Sequence, residues 1–376
     1  MATQHSDHRV VVIGSGIAGA GAAFGLARRG VAVTIVDDAA TGQATAAGAG
    51  IIMPWAISDE GPYYDLYAAG AAFYPELLRH LDDLGITGTD FRRSGGLIVN
   101  ADPALLEESY RRVIGRKQAA GADGEVIGTV DRIDNAAARE LFPPLADGLD
   151  AIFVSGGARV DGRTLRDALL LAAERLGAER VTGHADLDHD GQRPVISVGG
   201  RAVAADAVVA AAGAWTRQLM ASIGHQVPVQ PQKGQISHLR VTADTSRWPT
   251  VHPISHHYIV PFDEGRIAVG ATRETGSGFD TRITAAGQLQ VLSDALAIAP
   301  GLADATLIET RVGLRPLADD LPVAGALPDR PGVYVTTGYG AGGLTMGPRI
   351  GDAIARLIIG EPAPEIEAVR PLPASR

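Results

Sequence analysis

Gly14, Gly16 and Gly19 stand in the spacing Gly-x-Gly-x-x-Gly directly after the apolar run Arg9 to Ile13, and Asp37 follows 18 residues beyond the last of them. Each position has a physical task. Gly14 permits a tight turn, Gly16 lets main chain approach a pyrophosphate, and Gly19 lets a helix press onto the preceding strand. The first amides of that helix then point at the phosphates, helped by the helix dipole. A carboxylate ending the second strand accepts hydrogen bonds from ribose hydroxyls and disfavours a 2′-phosphate. The implied chemistry is dinucleotide recognition, because an ordinary glycine-rich turn needs neither the flanking strand and helix nor the later acid. NAD and FAD both satisfy this pattern.

Two further glycine elements narrow the choice. The run Thr41 to Ile52, TGQATAAGAGII, is almost all small residues, which suits main chain lying against a flat ring. The alternative for this segment alone is a flexible loop. Near the other end, Gly338 to Pro348 reads GYGAGGLTMGP, after a strand and before a helix, so its amides could form another anion-binding turn. Two such turns at opposite ends of one chain fit a long ligand held from both sides.

The elements that must position these turns follow from periodicity. Arg9 to Ile13 reads as a buried strand, Ile17 to Arg29 as a helix with Gly30 at its C-terminal cap, and Ala32 to Val36 as the next strand, which completes a βαβ opening. Pro62 to Leu84 is helical in pattern, Pro103 to Lys117 is a charged helix, and Phe91 to Asn100 and Glu125 to Val130 are strand-like. Pro143-Pro144 and Ser155-Gly156-Gly157 suggest a crossing between domains. Arg163 to Leu176 reads as a helix and Ala207 to Ala212 as a buried strand entering Gly213. Several strands are expected between Val227 and Val269, including Gln235 to Val241, His257 to Val260 and Ile267 to Val269. A helix over Ala285 to Ile298, a strand over Val333 to Thr337 and a closing helix from Pro348 to Ile359 complete the pattern.

Composition sets the outer bounds. A chain of 376 residues exceeds what one hydrophobic core usually supports, so two interleaved domains are expected. Glycine is over-represented, at 47 residues, where a typical usage of ~7% would give far fewer. A net charge of −10 argues against nucleic acid as a partner. The chain has no cysteine, which removes disulfides, thiolate metal sites and cysteine nucleophiles together. The N-terminus lacks the basic region and cleavage site of a signal peptide, and no apolar run reaches the ~20 residues of a membrane span, so the cytoplasm is the expected compartment.

In combination, VVVIGSGIAGAG with Asp37, TAAGAGII, VVAAAGAW (Val208 to Trp215), HYIVPFDEGRIAVGAT (His257 to Thr272), ETRVGLRPLADDLPVAG (Glu309 to Gly325) and TTGYGAGGLTMGP (Thr336 to Pro348) make the chain similar to the D-amino-acid oxidase and glycine oxidase group of FAD-dependent oxidoreductases. The resemblance touches the whole chain except its middle, about residues 90 to 150. It implies an α/β fold: a Rossmann-like FAD-binding domain from 1–88, 152–229 and 313–376, plus a substrate domain with a mostly antiparallel sheet from 89–151 and 230–312. It implies FAD, with Gly14, Gly16, Ile17, Ala18 and Gly19 at the pyrophosphate and Asp37 and Asp38 at the adenosine ribose. Ala44 and Thr45 would also reach the phosphates, Ala49, Gly50 and Ile51 would line the flavin, and Ala185 would meet the adenine. Gly213 and the loop Tyr339, Gly340, Ala341, Gly342, Gly343, Leu344 and Thr345 complete the implied cofactor set. Without cysteine, the cysteinyl linkage of some relatives is impossible, so the FAD is expected to be non-covalent.

For substrate, the resemblance implies that Arg315 in GLRP clamps a carboxylate through a two-pronged guanidinium pairing and that Tyr258 borders the pocket. Tyr258 could otherwise be a core aromatic of a strand. Glycine oxidases carry a second arginine in the C-terminal glycine loop. Here that position is Ala341, which argues against a second carboxylate contact there and against glycine as substrate. His256 and His257 fit a solvated or structural pair better than a base, since a neutral amine can deliver hydride to the flavin unaided. Trp55 is read as either a pocket wall or core packing. The expected activity is oxidation of the carbon–nitrogen bond of a small amine or amino acid, a D-amino acid or secondary amine. An FAD-dependent 2-hydroxy-acid dehydrogenase is the competing class. Oxygen, a quinone or another carrier could accept the electrons, and the motifs do not fix an oligomeric state.

Overall fold

The computed structural model describes residues 6–372, so the leading residues 1–5 and the final four positions of the last expected FAD-domain segment lie outside the described residues. Continuous apolar runs such as VVVI and AVVA have no polar face and must be buried on both sides, the condition of a central parallel sheet. They form one. Ser6–Ile13 lies between Val31–Asp37 and Ala207–Ala210, pairing parallel with both. Glu179–Thr182 extends the sheet on one side, and Val333–Thr337 followed by Val323–Ala326 extends it on the other, six strands in all. The chain leaves Ser6–Ile13 toward one side and returns on the other, so a crevice opens at the carboxyl ends of these strands. Gly14 and Asp37 both sit there.

Every residue of the helix Ile17–Ala27 is buried. It lies against the last helix, Gly343–Ile358, and small residues bring the two backbones together. A Cβ on Gly351 would fall 2.5 Å from the Ala22 amide nitrogen, and one on Gly21 would fall 3.0 Å from Pro348 Cα. This contact brings the ends of the chain into register.

The last helix begins five residues before the expected start at Pro348, which lies inside it. Proline has no amide proton and leaves the carbonyl four residues earlier without its helical donor. That carbonyl, on Leu344, accepts a hydrogen bond of 2.6 Å from the Tyr74 hydroxyl, and Tyr74 is itself buried. The helix tolerates its proline because another element supplies the missing proton.

The second sheet has nine strands and gathers chain from 96–154 and 229–318. It is antiparallel except where Thr250–Pro253 runs parallel to Gly96–Asn100. Its two longest strands, Val229–Arg240 and Thr306–Ala318, pair along nearly their whole length, with Gln232 opposite Arg315. Two expected strands differ. Only Gly96–Asn100 of the Phe91 to Asn100 stretch is extended, because Gly95 adopts φ +83° just before it. Glu125 to Val130 is the end of a 3-10 turn, Gly121–Ile127, closed by Gly128 at φ +70°, and the strand begins only at Val130. An apolar pair beside a glycine read as strand where the turn geometry decides otherwise.

The Tyr74–Leu344 bond yields a test. Tyr74→Phe should destabilise the protein by about 1–2 kcal/mol, the cost of a buried carbonyl left unpaired. Adding Pro348→Ala, which restores an amide donor, should recover part of that loss. Urea unfolding of the single and double variants measures both, and an additive double loss would contradict the account.

Candidate cofactor and substrate site

One cavity of about 560 Å³ runs between the two sheets and takes its wall from both. Its strand-end portion is built by the turn after Ser6–Ile13. Gly14 has φ +103°, and a Cβ there would lie 2.4 Å from the Ala211 carbonyl oxygen. Gly19 does not line the cavity. It lies under the turn, where a Cβ would meet the Gly14 carbonyl oxygen at 1.9 Å, so its task is close helix-to-strand packing. Gly16, Ile17 and Ala18 do line the cavity. The Ile17 amide donates to Thr45 Oγ1 at 3.0 Å, which ties the small-residue segment to the start of the helix.

Asp37 organises the same end. Its carboxylate accepts from the Ser15 amide at 2.6 Å, the Ser15 hydroxyl at 2.8 Å and the Ala39 amide at 2.6 Å. Asp38 faces His184 at 3.1 Å, and Ala185 lines the cavity beside it. The small-residue run is ordered rather than a free loop: Ala44–Ala47 is one helical turn and Ile51–Ile52 a short strand. Gly50, at φ +79°, allows the Val160 carbonyl to approach where a Cβ would be only 1.6 Å away. Ala44, Thr45, Ala49, Gly50 and Ile51 all reach the wall, as do Gly213, Tyr339, Gly340, Ala341, Gly343 and Leu344. Gly342 and Thr345 do not. Gly342 packs beside Met346 and Tyr63, while the Thr345 hydroxyl donates to the Ile51 carbonyl at 3.1 Å and joins the two glycine elements.

At the sheet-covered end stand Tyr258, His257 and Arg315. Arg315 Nη1 donates to the Thr272 carbonyl at 3.0 Å and to Gln232 Oε1 at 3.4 Å. Gly234 makes room for its guanidinium, since a Cβ there would lie 2.4 Å from Nη2. Burial raises the Tyr258 hydroxyl pKa, and the nearby Arg315 opposes the shift. His257 is 8% exposed with Nε2 lacking a partner, and burial lowers its pKa to about 4. His256 beside it is exposed. Trp55 corrects the pocket-wall reading. It is 2% exposed, belongs to the core with Tyr74 and Phe91, and is absent from the cavity wall.

Sequence reasoning missed many of the lining residues, Arg273, Tyr67 and His252 among them. Arg273 follows the strand Arg266–Gly270, and burial together with the neighbouring Arg315 lowers its pKa. Tyr67 presents a hydroxyl that burial pushes up to about 12. His252 lies opposite Tyr258 through the Val251↔Ile259 pairing and bonds the Thr250 hydroxyl at 2.8 Å. Register across the sheet places Arg273 and His252, and no local motif carries that information.

Residues 9–357 match the family of FAD dependent oxidoreductases designated DAO, and the chain belongs to that family. Within it, the chain is 44% identical to iminodiacetate oxidase (IdaA) of Chelativorans sp. BNC1, whose crystal structure it matches with a TM-score of 0.94 over 98% of this chain and 100% of that one. It is 28% identical to the crystal structure of glycine oxidase from Geobacillus kaustophilus, with a TM-score of 0.84 over 98% and 99% of the two chains. An uncharacterized oxidoreductase of Bacillus subtilis (strain 168), YurR, is 42% identical over 93% of this chain and 95% of its own. The cofactor is FAD, and the cavity fits it: glycine-lined turns meet a helix N-terminus with no acidic residue in its first turn, and two aspartates stand at one end. Among the described residues no helix is long and apolar enough to cross a membrane, and no cluster of side chains could hold a metal ion.

The buried histidines make a pH prediction. Burial lowers the pKa values of His238, His252 and His257 to about 4. The unfolded chain, with histidines near ~6.5, therefore binds more protons than the folded one as pH falls through this window. The melting temperature should fall progressively between pH 6.5 and 4 and change little from 6.5 to 8. Thermal melts across this range check it, and a flat profile down to pH 4.5 would mean these rings are charged in the fold.

Proposed function

We propose that the protein is an FAD-dependent oxidase of small secondary amines that carry two carboxylates, compounds of the iminodiacetate type, with oxygen as the electron acceptor. One observation carries the reading. Arg315 and Arg273 both line the cavity, near enough to depress the pKa of Arg273, and among the described residues neither has a carboxylate within ion-pairing distance. Two cations on the wall of one cavity, without carboxylate partners, favour a ligand with two negative charges. Arg273 would supply the second carboxylate contact that Ala341 lacks.

Gly14, Gly16, Ile17 and Ala18 would hold the pyrophosphate of FAD, Asp37 and Asp38 its ribose, and Ala49, Gly50, Ile51 and the Tyr339–Leu344 segment the flavin. The chemistry the cofactor supplies when bound is acceptance of two electrons from a C–H bond beside nitrogen, leaving an imine that water splits into an amine and an oxo acid. The protein's own residues act by placement. The arginines fix the substrate at both ends, Tyr258 borders it, and buried His257 adds no charge near neutral pH. The iminodiacetate and glycine oxidase relatives favour carbon–nitrogen oxidation over the 2-hydroxy-acid alternative.

Oxygen uptake with iminodiacetate, sarcosine, glycine and 2-hydroxy acids tests the reading. Iminodiacetate should give the highest kcat/KM, and preference for a hydroxy acid would overturn it. Arg315→Ala should raise KM for iminodiacetate and sarcosine by roughly 10- to 100-fold, the range for losing a charge-assisted pair. Arg273→Ala should raise KM for iminodiacetate alone, and an equal effect on sarcosine would count against the two-carboxylate reading. Asp37→Ala should retain the fold but lose flavin on dialysis, and full flavin content after dialysis would contradict the ribose assignment.

A further inference from the structure

The half-buried guanidinium of Arg116 is spent on backbone carbonyls rather than on a carboxylate. Nη1 donates to the carbonyls of Trp55 at 3.1 Å and Ile57 at 2.7 Å, and Nη2 donates to the carbonyl of Asp59 at 2.5 Å. Its Cζ lies 3.8 Å from the centroid of the Tyr64 ring, on the helix Gly61–Asp82 that follows the same loop. No carboxylate lies within 4 Å of it among the described residues, and burial lowers its pKa. Arg116 sits in the last turn of the helix Pro103–Ala119, where a cation is also favoured by the helix dipole.

The loop it holds forms one side of the cavity. Ala56 and Ile57 line the wall, as do Ser255, His256 and Arg273. Asp59, at the loop's outer end, is exposed and acts electrostatically on Tyr63, Tyr67 and Arg273. Backbone carbonyls at 55, 57 and 59 face one donor, so one side chain fixes alternate peptide units of the loop. Guanidinium only donates, carbonyls only accept, and its planar fork reaches several acceptors that an ammonium would not span together.

We propose that Arg116 is a positioning residue for substrate entry: by holding carbonyls 55, 57 and 59 it fixes the loop that carries the cavity-lining Ala56 and Ile57. Loss of the contact opens the mouth and weakens capture without altering placement at Arg315. This rests on the substrate reading above, so the test has one arm that does not use substrate.

Arg116→Ala and Arg116→Lys are made in the FAD-bound enzyme. Hydrogen-exchange mass spectrometry of the holoenzyme without substrate should show faster exchange in Arg116→Ala confined to the peptide covering 53–66. In steady-state assays, KM for iminodiacetate should rise at least roughly tenfold with kcat unchanged or higher, and Arg116→Lys should recover only part of the loss. Unchanged exchange, or faster exchange with KM unchanged, overturns the proposal. A parallel loss of kcat, flavin content and global protection also overturns it, since that marks a purely structural residue. If the wild-type enzyme fails to oxidise iminodiacetate, the substrate reading falls while the exchange arm still decides whether the latch exists.

Discussion

The structure depends on the backbone-to-backbone contact of its first and last helices. Gly21, Gly25, Gly347 and Gly351 place Ile17–Ala27 and Gly343–Ile358 where a methyl group at any of the four would fall 2.5–3.0 Å from its neighbour. Close-packed interiors cannot absorb such overlaps without moving backbone. Because those helices begin immediately after the Gly14 turn and the Gly340–Gly342 turn, their separation fixes the separation of two loops more than 300 residues apart in sequence. The buried hydroxyl of Tyr74, capping the carbonyl that Pro348 orphans, belongs to the same arrangement, because the proline packs against Gly21.

Charge separates the residues that hold the fold from those that face the cavity. Structural arginines are matched to acids: Arg28, Arg29 and Arg356 to Asp352, Arg92 and Arg159 to Asp263, Arg266 and Arg311 to Asp161. Buried Lys233, 1% exposed, lies between Glu274 and Asp280. Such pairs are costly to break because they leave a lone buried charge. Arg273 and Arg315 depart from this pattern, and Arg315 donates to a carbonyl and an amide oxygen. Beside these matched cations, Arg273 and Arg315 line the same cavity without a carboxylate partner among the described residues.

The parts of this site legible in the sequence are those whose chemistry is local. Gly14, Gly16 and Asp37 lie in one βαβ unit whose geometry dictates residue type position by position, and the glycine loop at 338–343 is continuous. Arg315 was recognisable because it sits within a matching segment, GLRP. What was not legible depends on register. Arg273 enters the cavity because Gln232 and Lys233 pair with Thr275 and Glu274, and His252 because Val251 pairs with Ile259. Trp55 shows the converse: three residues after the cavity-lining strand it turns into the core, and only its carbonyl serves the mouth of the cavity. The proline at 348 misled for a related reason, since the donor that excuses it lies 274 residues away on another helix.

An oxidoreductase that borrows its reactive group leaves little for side chains to do except binding and exclusion. Burial holds His252 and His257 uncharged and Tyr67 and Tyr258 protonated, so near neutral pH the fixed positive charges on the sheet-covered part of the wall are those of Arg273 and Arg315. Selection then rests on where fixed charges stand and on the loop that admits the ligand to them. That loop belongs to the stretch joining the cofactor-facing strand Ile51–Ile52 to the helix Gly61–Asp82, whereas the arginine that holds it comes from the helix Pro103–Ala119 beside the second sheet. The mouth of the cavity is thus fixed only when both layers are in place, which couples access to the site to the same packing that assembles it.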